Sequence, residues 1–380
     1  MWGIKHKFSK TVKIFDTTLR DGEQMPGVVF RPEEKVELAV KSSEFGCHFI
    51  NLMPSISDSE ATLTKQLAGM GLDSEITADC MLKKEHIEKA LECGVQRIML
   101  FTSISDLHLE RKLKITREEN LSRSLEMIDF TREHGVKLDF GVEDATRADI
   151  NYLIDFINKL HVEYFLPADT LGCMTPFQTY DFFKRLKKEC KCKLCVHGHN
   201  DFGMATANVL AALSAGVDGF SGTFNGIGER AGNAPIEEVC VALKYLYGLD
   251  LKVNYKSIKE MCGLVEKYSG VRLQKHKPIT GENAFTHESG IHVNGMLKDT
   301  RTYENFNPEI VGRKRKFLFG KHTGGSGLRY VLNDYKPSNE EVRDLLKKVK
   351  TFSESNKKSL SESDVWDLFK TNFRGDFFEN

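Results

Sequence analysis

The stretch Val12-Lys13-Ile14-Phe15-Asp16-Thr17-Thr18-Leu19-Arg20-Asp21 decides the fold. Its first half, residues 12–16, is short, β-prone and apolar on both sides, as a strand of a parallel sheet buried under helices should be. Its second half is a polar turn without the glycine fingerprint that follows the first strand of a doubly wound open sheet. A barrel is therefore the better reading, and the chain downstream keeps the rhythm a barrel requires. Similar runs recur at residues 48–53, 75–80, 97–102, 137–143, 164–169, 193–199 and 219–225.

Between these runs lie helical patterns at residues 32–46, 57–70, 83–93, 117–134, 149–160, 176–189, 205–215 and 235–247. Acidic residues or proline open several of them, which is the usual helix punctuation. Gly46, Gly94, Gly135 and Gly216 each stand just before the next strand, where a left-handed C-cap would return the chain. Eight strands, each followed by a helix, in about 250 residues is the arithmetic of an α/β protein of the (β/α)8 TIM-barrel class. Beyond about residue 275 the rhythm breaks. Residues 277–319 are polar and glycine-bearing with no convincing strand–helix pair, whereas 324–350 and 359–373 read as helical. The expected organisation is a catalytic barrel over 1–275, an extended connecting arm over 276–320 and a small helical C-terminal subdomain over 321–380.

Composition narrows the function classes. The chain has 380 residues, 40% hydrophobic and 28% charged, with 54 lysines and arginines against 54 aspartates and glutamates. That balance speaks against a nucleic-acid partner, whose binding domains carry a basic excess, and against an acidic disordered chain. No run of about 18 apolar residues exists to span a membrane. The polar, lysine-rich start lacks the apolar core of an export signal. Nine cysteines without framework spacing read as reduced thiols of a cytoplasmic protein.

In a TIM barrel the active site lies at the C-terminal ends of the strands, and those ends are polar here. Strand one runs into Arg20-Asp21-Gly22-Glu23-Gln24, strand five ends at Glu143-Asp144, and strand six ends at Asp169-Thr170. Strand seven ends His197-Gly198-His199-Asn200-Asp201, and strand eight leads into Asn225-Gly226-Ile227-Gly228-Glu229-Arg230-Ala231-Gly232-Asn233. His197 and His199, two apart on one strand, point the same way, so two imidazoles can bind one ion from a rigid backbone. Asp21 would add a hard oxygen, a donor set that suits Zn²⁺, Mn²⁺, Fe²⁺ or, with further oxygens, Mg²⁺. The plainer alternative is a hydrogen-bonded histidine pair beside a loop. Arg20 is placed to polarise a carbonyl as negative charge develops on it, or else forms an exposed ion pair with Asp21 in a solvated loop. Glu143 is either an acid/base group or the partner of Arg147. Cys190, Cys192 and Cys195 lack a second CxxC, so no structural zinc is expected. The glycines of the 225–233 loop suit close backbone approach better than phosphate binding, since no Lys-Ser/Thr pair follows.

Taken together, Phe15-Asp16-Thr17-Thr18-Leu19-Arg20-Asp21-Gly22-Glu23-Gln24, the HGHND run at 197–201 and the 225–233 loop resemble the 2-isopropylmalate synthase and homocitrate synthase family. Phe285-Thr286-His287-Glu288-Ser289-Gly290-Ile291-His292-Val293, Arg301-Thr302-Tyr303-Glu304 and Gly320-Lys321-His322-Thr323-Gly324 are similar to the arm of the same family. The resemblance runs from about residue 12 to 330. It implies a metal-dependent Claisen condensation of acetyl-CoA with a 2-oxo acid, followed by thioester hydrolysis. By that resemblance Asp21, His197 and His199 would hold a divalent cation (Mg, Mn or Zn), with Asn233 a further ligand nearby. Arg20 would stabilise the developing alkoxide, while Gln24, Glu143 and Thr170 would line the substrate. His108, in the family-like run Ser105-Asp106-Leu107-His108, would be substrate-lining or part of the loop. His292, with Glu143 and Tyr303, would serve the proton transfers, the arm crossing to a partner subunit in a homodimer.

The runs 286–293 with Leu297-Lys298-Asp299, and Gly141-Val142-Glu143-Asp144-Ala145, are most like homocitrate synthases of the nitrogen-fixation type, whose acceptor is 2-oxoglutarate. The near alternatives are 2-isopropylmalate and citramalate synthases, and the length predicts no added regulatory domain. Two positions depart from the family. Lysine-pathway homocitrate synthases carry an arginine four residues before the glutamate, where this chain has Asp139. The family's strand two usually reads Ile-Glu ahead of a proline, where this chain has Ile50-Asn51-Leu52-Met53-Pro54. A retro-Claisen acyl-CoA lyase on the same barrel would carry a cysteine in the loop after strand eight, and residues 225–233 have none. A non-catalytic barrel would have little reason to keep Arg20, Asp21, Glu143, His197, His199 and His292 together.

Overall fold

The computed structural model describes residues 8–9 and 11–373. Most of the lysine-rich start and the last seven residues of the expected C-terminal subdomain lie outside that range. The chain divides into two compact units, at Arg272/Leu273.

The first unit is a closed barrel of eight parallel strands in sequence order. They are β1 (Lys13–Asp16), β2 (Phe49–Leu52), β3 (Glu75–Met81), β4 (Arg97–Ser103), β5 (Lys137–Glu143), β6 (Tyr164–Asp169), β7 (Lys193–Gly198) and β8 (Gly219–Gly222). Closure comes from β1, which pairs with β2 (Phe15 opposite Phe49) and with β8 (Lys13 opposite Gly219). Every residue of β2 and β8 is buried, which is why these strands, Asn51 apart, read as continuous apolar or small runs rather than alternating ones. The predicted helices form between the strands, among them Pro32–Phe45, Arg117–Arg132 and Pro176–Glu189. Thr116 and Thr175 cap the latter two through reciprocal bonds with Glu119 and Gln178. The four glycine stops all take positive φ. One helix, Ile258–Ser269, was not anticipated. Its buried Ile258, Met261, Cys262 and Val265 keep i, i+3, i+4, i+7 spacing, so the signal was present in the sequence.

The lower barrel is plugged by Phe15, Phe49, Met99, Tyr164 and Cys195, with the Phe15 and Phe49 rings 4.3 Å apart. Among these aromatics lies a buried cation, Arg97, whose guanidinium sits 4.8 Å over the Phe49 ring. It donates to both Asp139 oxygens at 2.9 and 3.0 Å, to Glu75 at 3.1 Å and to Glu163 at 3.0 Å. Asp139 lies four residues before Glu143 on β5, which at about 3.3 Å per residue is some ~13 Å down the strand. It therefore belongs to the packed floor of the barrel.

In the second unit, β9 (Thr286–His287) pairs in parallel with β10 (Lys316–Phe317). Helices span Gly290–Lys298, Gly325–Val331, Asn339–Asn356 and Glu362–Phe373. They share a core that includes Val293, Phe319, Leu328, Leu345, Val349 and Phe369. Residues 277–319 thus do contain two short strands and a helix, contrary to the sequence reading; two- and nine-residue elements are too short for periodicity to register. The single helical stretch expected over 324–350 is in fact two. Pro337 interrupts it, and Ser338 starts a new helix by accepting from the Glu341 backbone N–H. Among the described residues no helix is long and apolar enough to cross a membrane.

Candidate active site

A cavity of about 520 Å³ lies where the barrel strands end, and Arg20, Asp21, Gln24, Glu143, Thr170, His197 and His199 all line it. Closure of the barrel therefore brings these residues together although they lie up to 179 positions apart (from Arg20 to His199).

His197 and His199 face one another with their Nε2 atoms 3.2 Å apart. Asp21 Oδ2 lies 3.7 Å from the first and 3.8 Å from the second. The candidate ligand atoms of the three residues all fall within 4.8 Å of one another. On the other side of the pair, His197 Nδ1 meets Ser221 Oγ at 3.1 Å. The Asn233 amide donates to Asp21 Oδ1 at 2.8 Å, and its Oδ1 is buried with no hydrogen-bond partner. Burial and His199 push His197 far below the ordinary imidazole range, to about 3, so it is neutral at physiological pH and offers a lone pair. Burial works against ionising Asp21, yet His197, Arg20, His199 and Asn233 outweigh it and hold the carboxylate below its usual range. Two imidazoles facing each other, one carboxylate and an orphaned amide oxygen are a donor set that fits a divalent cation. As a plain histidine hydrogen bond, the arrangement would leave the Asn233 oxygen unsatisfied.

The glycines after β8 make this packing available. Gly228 has φ +151°, and a Cβ there would lie 2.1 Å from Asn233 Nδ2 and 2.7 Å from Asp21 Oδ1. Gly228→Ala should therefore displace Asn233 and weaken divalent-cation binding by about 10–100-fold, as read by Mn²⁺ titration. Unchanged binding would show that the close approach is dispensable.

Arg20 is largely buried, with ion-pair contacts to Asp21 (3.1 Å) and Asp79 (3.2 Å), so the reading of a solvated surface pair does not hold. Glu143 accepts from Ser103 Oγ at 2.7 Å and pairs with Lys112. Burial raises its pKa, but Lys112 and Ser103 more than offset that, so the carboxylate is ionised at neutral pH. Arg147 is not its partner; it clasps Asp144 at 2.7 and 2.8 Å. Thr170 Oγ1 accepts from the Asp144 N–H at 2.7 Å. Gln24 ends the short turn Gly22–Gln24 that follows Asp21. His108 is not among the cavity-lining residues and stands one shell back, its Nδ1 3.2 Å from Ser103 Oγ.

His292 and Tyr303 belong to the second unit, where their rings stack 4.0 Å apart. Next to Tyr303, the buried Glu304 carboxylate pairs with Arg315. Cys190, Cys192 and Cys195 are free thiols, and among the described residues the Asp21/His197/His199 cluster is the one that could hold a metal through histidine, cysteine or carboxylate. Sequence reasoning missed Asp79, Ser103, Lys112 and Arg230. Asp79 had a signal, an acid in the middle of a buried strand between Ala78 and Cys80; the others gain meaning only from their neighbours in space.

The profile of the HMGL-like family matches residues 11–265, and that of the homocitrate synthase post-HMGL domain-like family matches residues 279–357. A homocitrate synthase (AksA) of Methanothermobacter thermautotrophicus is 43% identical, over 87% of this chain and 85% of its own. A 2-isopropylmalate synthase of Methanocaldococcus jannaschii is 41% identical over 93% of this chain and 70% of its own. An (R)-citramalate synthase (CimA) of the same organism is 40% identical, over 93% and 73%. Among solved structures, a Bacillus subtilis HMG-CoA lyase superposes with a TM-score of 0.63 at 20% identity, over 70% of this chain and 96% of its own. That last likeness speaks for the barrel alone. With the barrel closed, the strand-end residues gathered in one cavity and these relatives in hand, the chain belongs to the homocitrate synthase and 2-isopropylmalate synthase family of enzymes.

Proposed function

We propose that the protein condenses acetyl-CoA with a 2-oxo acid and hydrolyses the thioester. The observation that carries this reading is the convergence of Asp21, His197, His199, Arg20 and Glu143 on one cavity. A divalent cation (Mg, Mn or Zn) held by Asp21, His197 and His199, with Asn233 beside them, would supply Lewis-acid polarisation of the acceptor's keto group. Arg20, already oriented by carboxylates, would face the negative charge that develops on the former keto oxygen. Glu143, ionised and fixed by Ser103, would act with His292 and Tyr303 in moving protons. The acetyl methyl loses a proton, its carbon bonds to the keto carbon, and the resulting alkoxide is protonated. Water then cleaves the thioester and free CoA thiol leaves. Gln24 and Thr170 would contact the substrate, and His108 would act through Ser103. By the family resemblance the protein would be a cytoplasmic homodimer, the stacked His292 and Tyr303 reaching each cavity from a second copy of the chain.

Resemblance puts 2-oxoglutarate first as acceptor, with homocitrate as product. The cavity favours a second class. Its lining cations are Arg20, matched by Asp21 and Asp79, and Arg230, matched by Asp201 at 2.7 and 2.9 Å. Its wall also holds Met53, Met99, Phe101, Val142 and Leu166. Among the described residues lining it, no cation lacks a carboxylate partner and none is left to meet a distal carboxylate, so this surface suits a short apolar side chain, as in pyruvate or 2-oxoisovalerate. The test is thiol release from acetyl-CoA with Mg²⁺ or Mn²⁺ and 2-oxoglutarate, 2-oxoisovalerate, pyruvate or oxaloacetate. Release with 2-oxoglutarate supports homocitrate, and release with 2-oxoisovalerate or pyruvate supports the second class. Silence with all four refutes the condensation.

A further inference from the structure

We infer that Asp79, on β3, is the positioning residue for Arg20. The inference rests on the condensation reading above and deepens it. Asn51, at the family's glutamate position, has no charge to give Arg20. It donates instead through Nδ2 to Asp79 Oδ1 at 2.7 Å. The second Asp79 oxygen, Oδ2, then lies 3.2 Å from Arg20 Nε. Both residues are almost completely enclosed, Asn51 at 4% and Asp79 at 6% exposure, so little water screens the contact.

The geometry assigns the two carboxylates on Arg20 different tasks. Asp21 meets Nη1 at 3.1 Å but also faces both imidazoles, so it serves the cation site and Arg20 at once. Among the described residues Asp79 forms its ion pair with Arg20 alone, and Asn51 fixes its orientation. Phe101 bounds the guanidinium on a further side, with Cζ 5.6 Å from the ring centre. Arg20 is thus held from two edges and a face. Arg20 Nε is buried and makes no hydrogen bond, so Asp79 holds that edge as an ion pair alone. Without it the edge would lose its countercharge and the guanidinium would be free to follow Asp21 toward the cation site.

The test is a set of variants measured against the wild type with the acceptor that gives the largest thiol release. Asp79→Asn should lower kcat by about 10–100-fold while the KM for acceptor shifts by less than about 3-fold, because the group it holds acts on charge that develops in the transition state. Mn²⁺ binding should be unchanged, which separates this effect from damage to the cation site. Asn51→Glu/Asp79→Asn, which moves the acid to the adjacent side chain on β2, should recover at least ~10-fold of the lost kcat. In an Arg20→Met background, Asp79→Asn should have no further effect, whereas a merely structural role would lower both backgrounds alike. Wild-type kcat in folded Asp79→Asn, or a swap no better than the single change, overturns the inference. A wild type silent with every acceptor removes the condensation reading and this inference with it; an active wild type with an equally active Asp79→Asn removes this inference alone.

Discussion

His197→Ala should abolish tight divalent-cation binding and lower thiol release by at least ~10³-fold, while the far-ultraviolet circular dichroism stays that of the wild type. The size follows from the role. A Lewis acid at the acceptor carbonyl is worth several kcal/mol of transition-state stabilisation, and ~10³-fold is about 4 kcal/mol. His197 is one of three clustered donors, and the two that remain, His199 and Asp21, cannot close a site by themselves. The fold should survive, because His197 makes one side-chain bond to a hydroxyl, Ser221 Oγ at 3.1 Å, besides facing His199. Titration with Mn²⁺ gives a readout that does not depend on turnover. A folded variant that binds Mn²⁺ as the wild type does, and still turns over, would remove His197 from the ligand set.

The second large effect is on stability. Arg97→Met should destabilise the barrel by about 3–5 kcal/mol, since removing one partner of a buried ion pair leaves the other charge uncompensated. The side chains concerned have almost no access to water: 3% for Arg97 and none for Asp139. Burial pushes the Asp139 carboxyl up and Arg97 pulls it back down. With Arg97 gone, the folded-state pKa rises further above the unfolded value, so the folded protein binds the proton more readily. Stability of the variant is then lost as pH rises through that pKa, and its deficit against wild type should be larger at pH 8 than at pH 5. Urea unfolding at both pH values measures this. Arg97→Met/Asp139→Leu should regain much of the loss, as apolar replacement of a whole buried pair often does. A deficit below about 1 kcal/mol in the single variant would refute the account of the floor.

The large features were legible because they repeat. Eight apolar runs spaced by amphipathic helices, with polar residues concentrated where each run ends, identify a barrel and its mouth without coordinates. His197 and His199 were readable for the same local reason, since alternation along a strand fixes two side chains on one side. Other residues were legible only as types. Asp139 stood out as a departure from the family, but its position in the buried floor depends on Arg97, 42 positions away. Glu143 had an obvious neighbour in Arg147, and the structure gives it Lys112 and Ser103 instead. Residues 277–319 gave no rhythm because their two strands and helix are too short to repeat.

What the sequence by itself determined is the order of strands and helices, the polar strand ends and the histidine pair, all of which follow from periodicities of two and 3.6 residues. What only the tertiary structure decided is which charge answers which. Asn51 looked like a lost carboxylate, and only the closed barrel, with β2 beside β3, shows Asp79 next to it and within reach of Arg20. Ion pairs form across strands according to barrel stagger and burial, and neither is a property of any short stretch of chain.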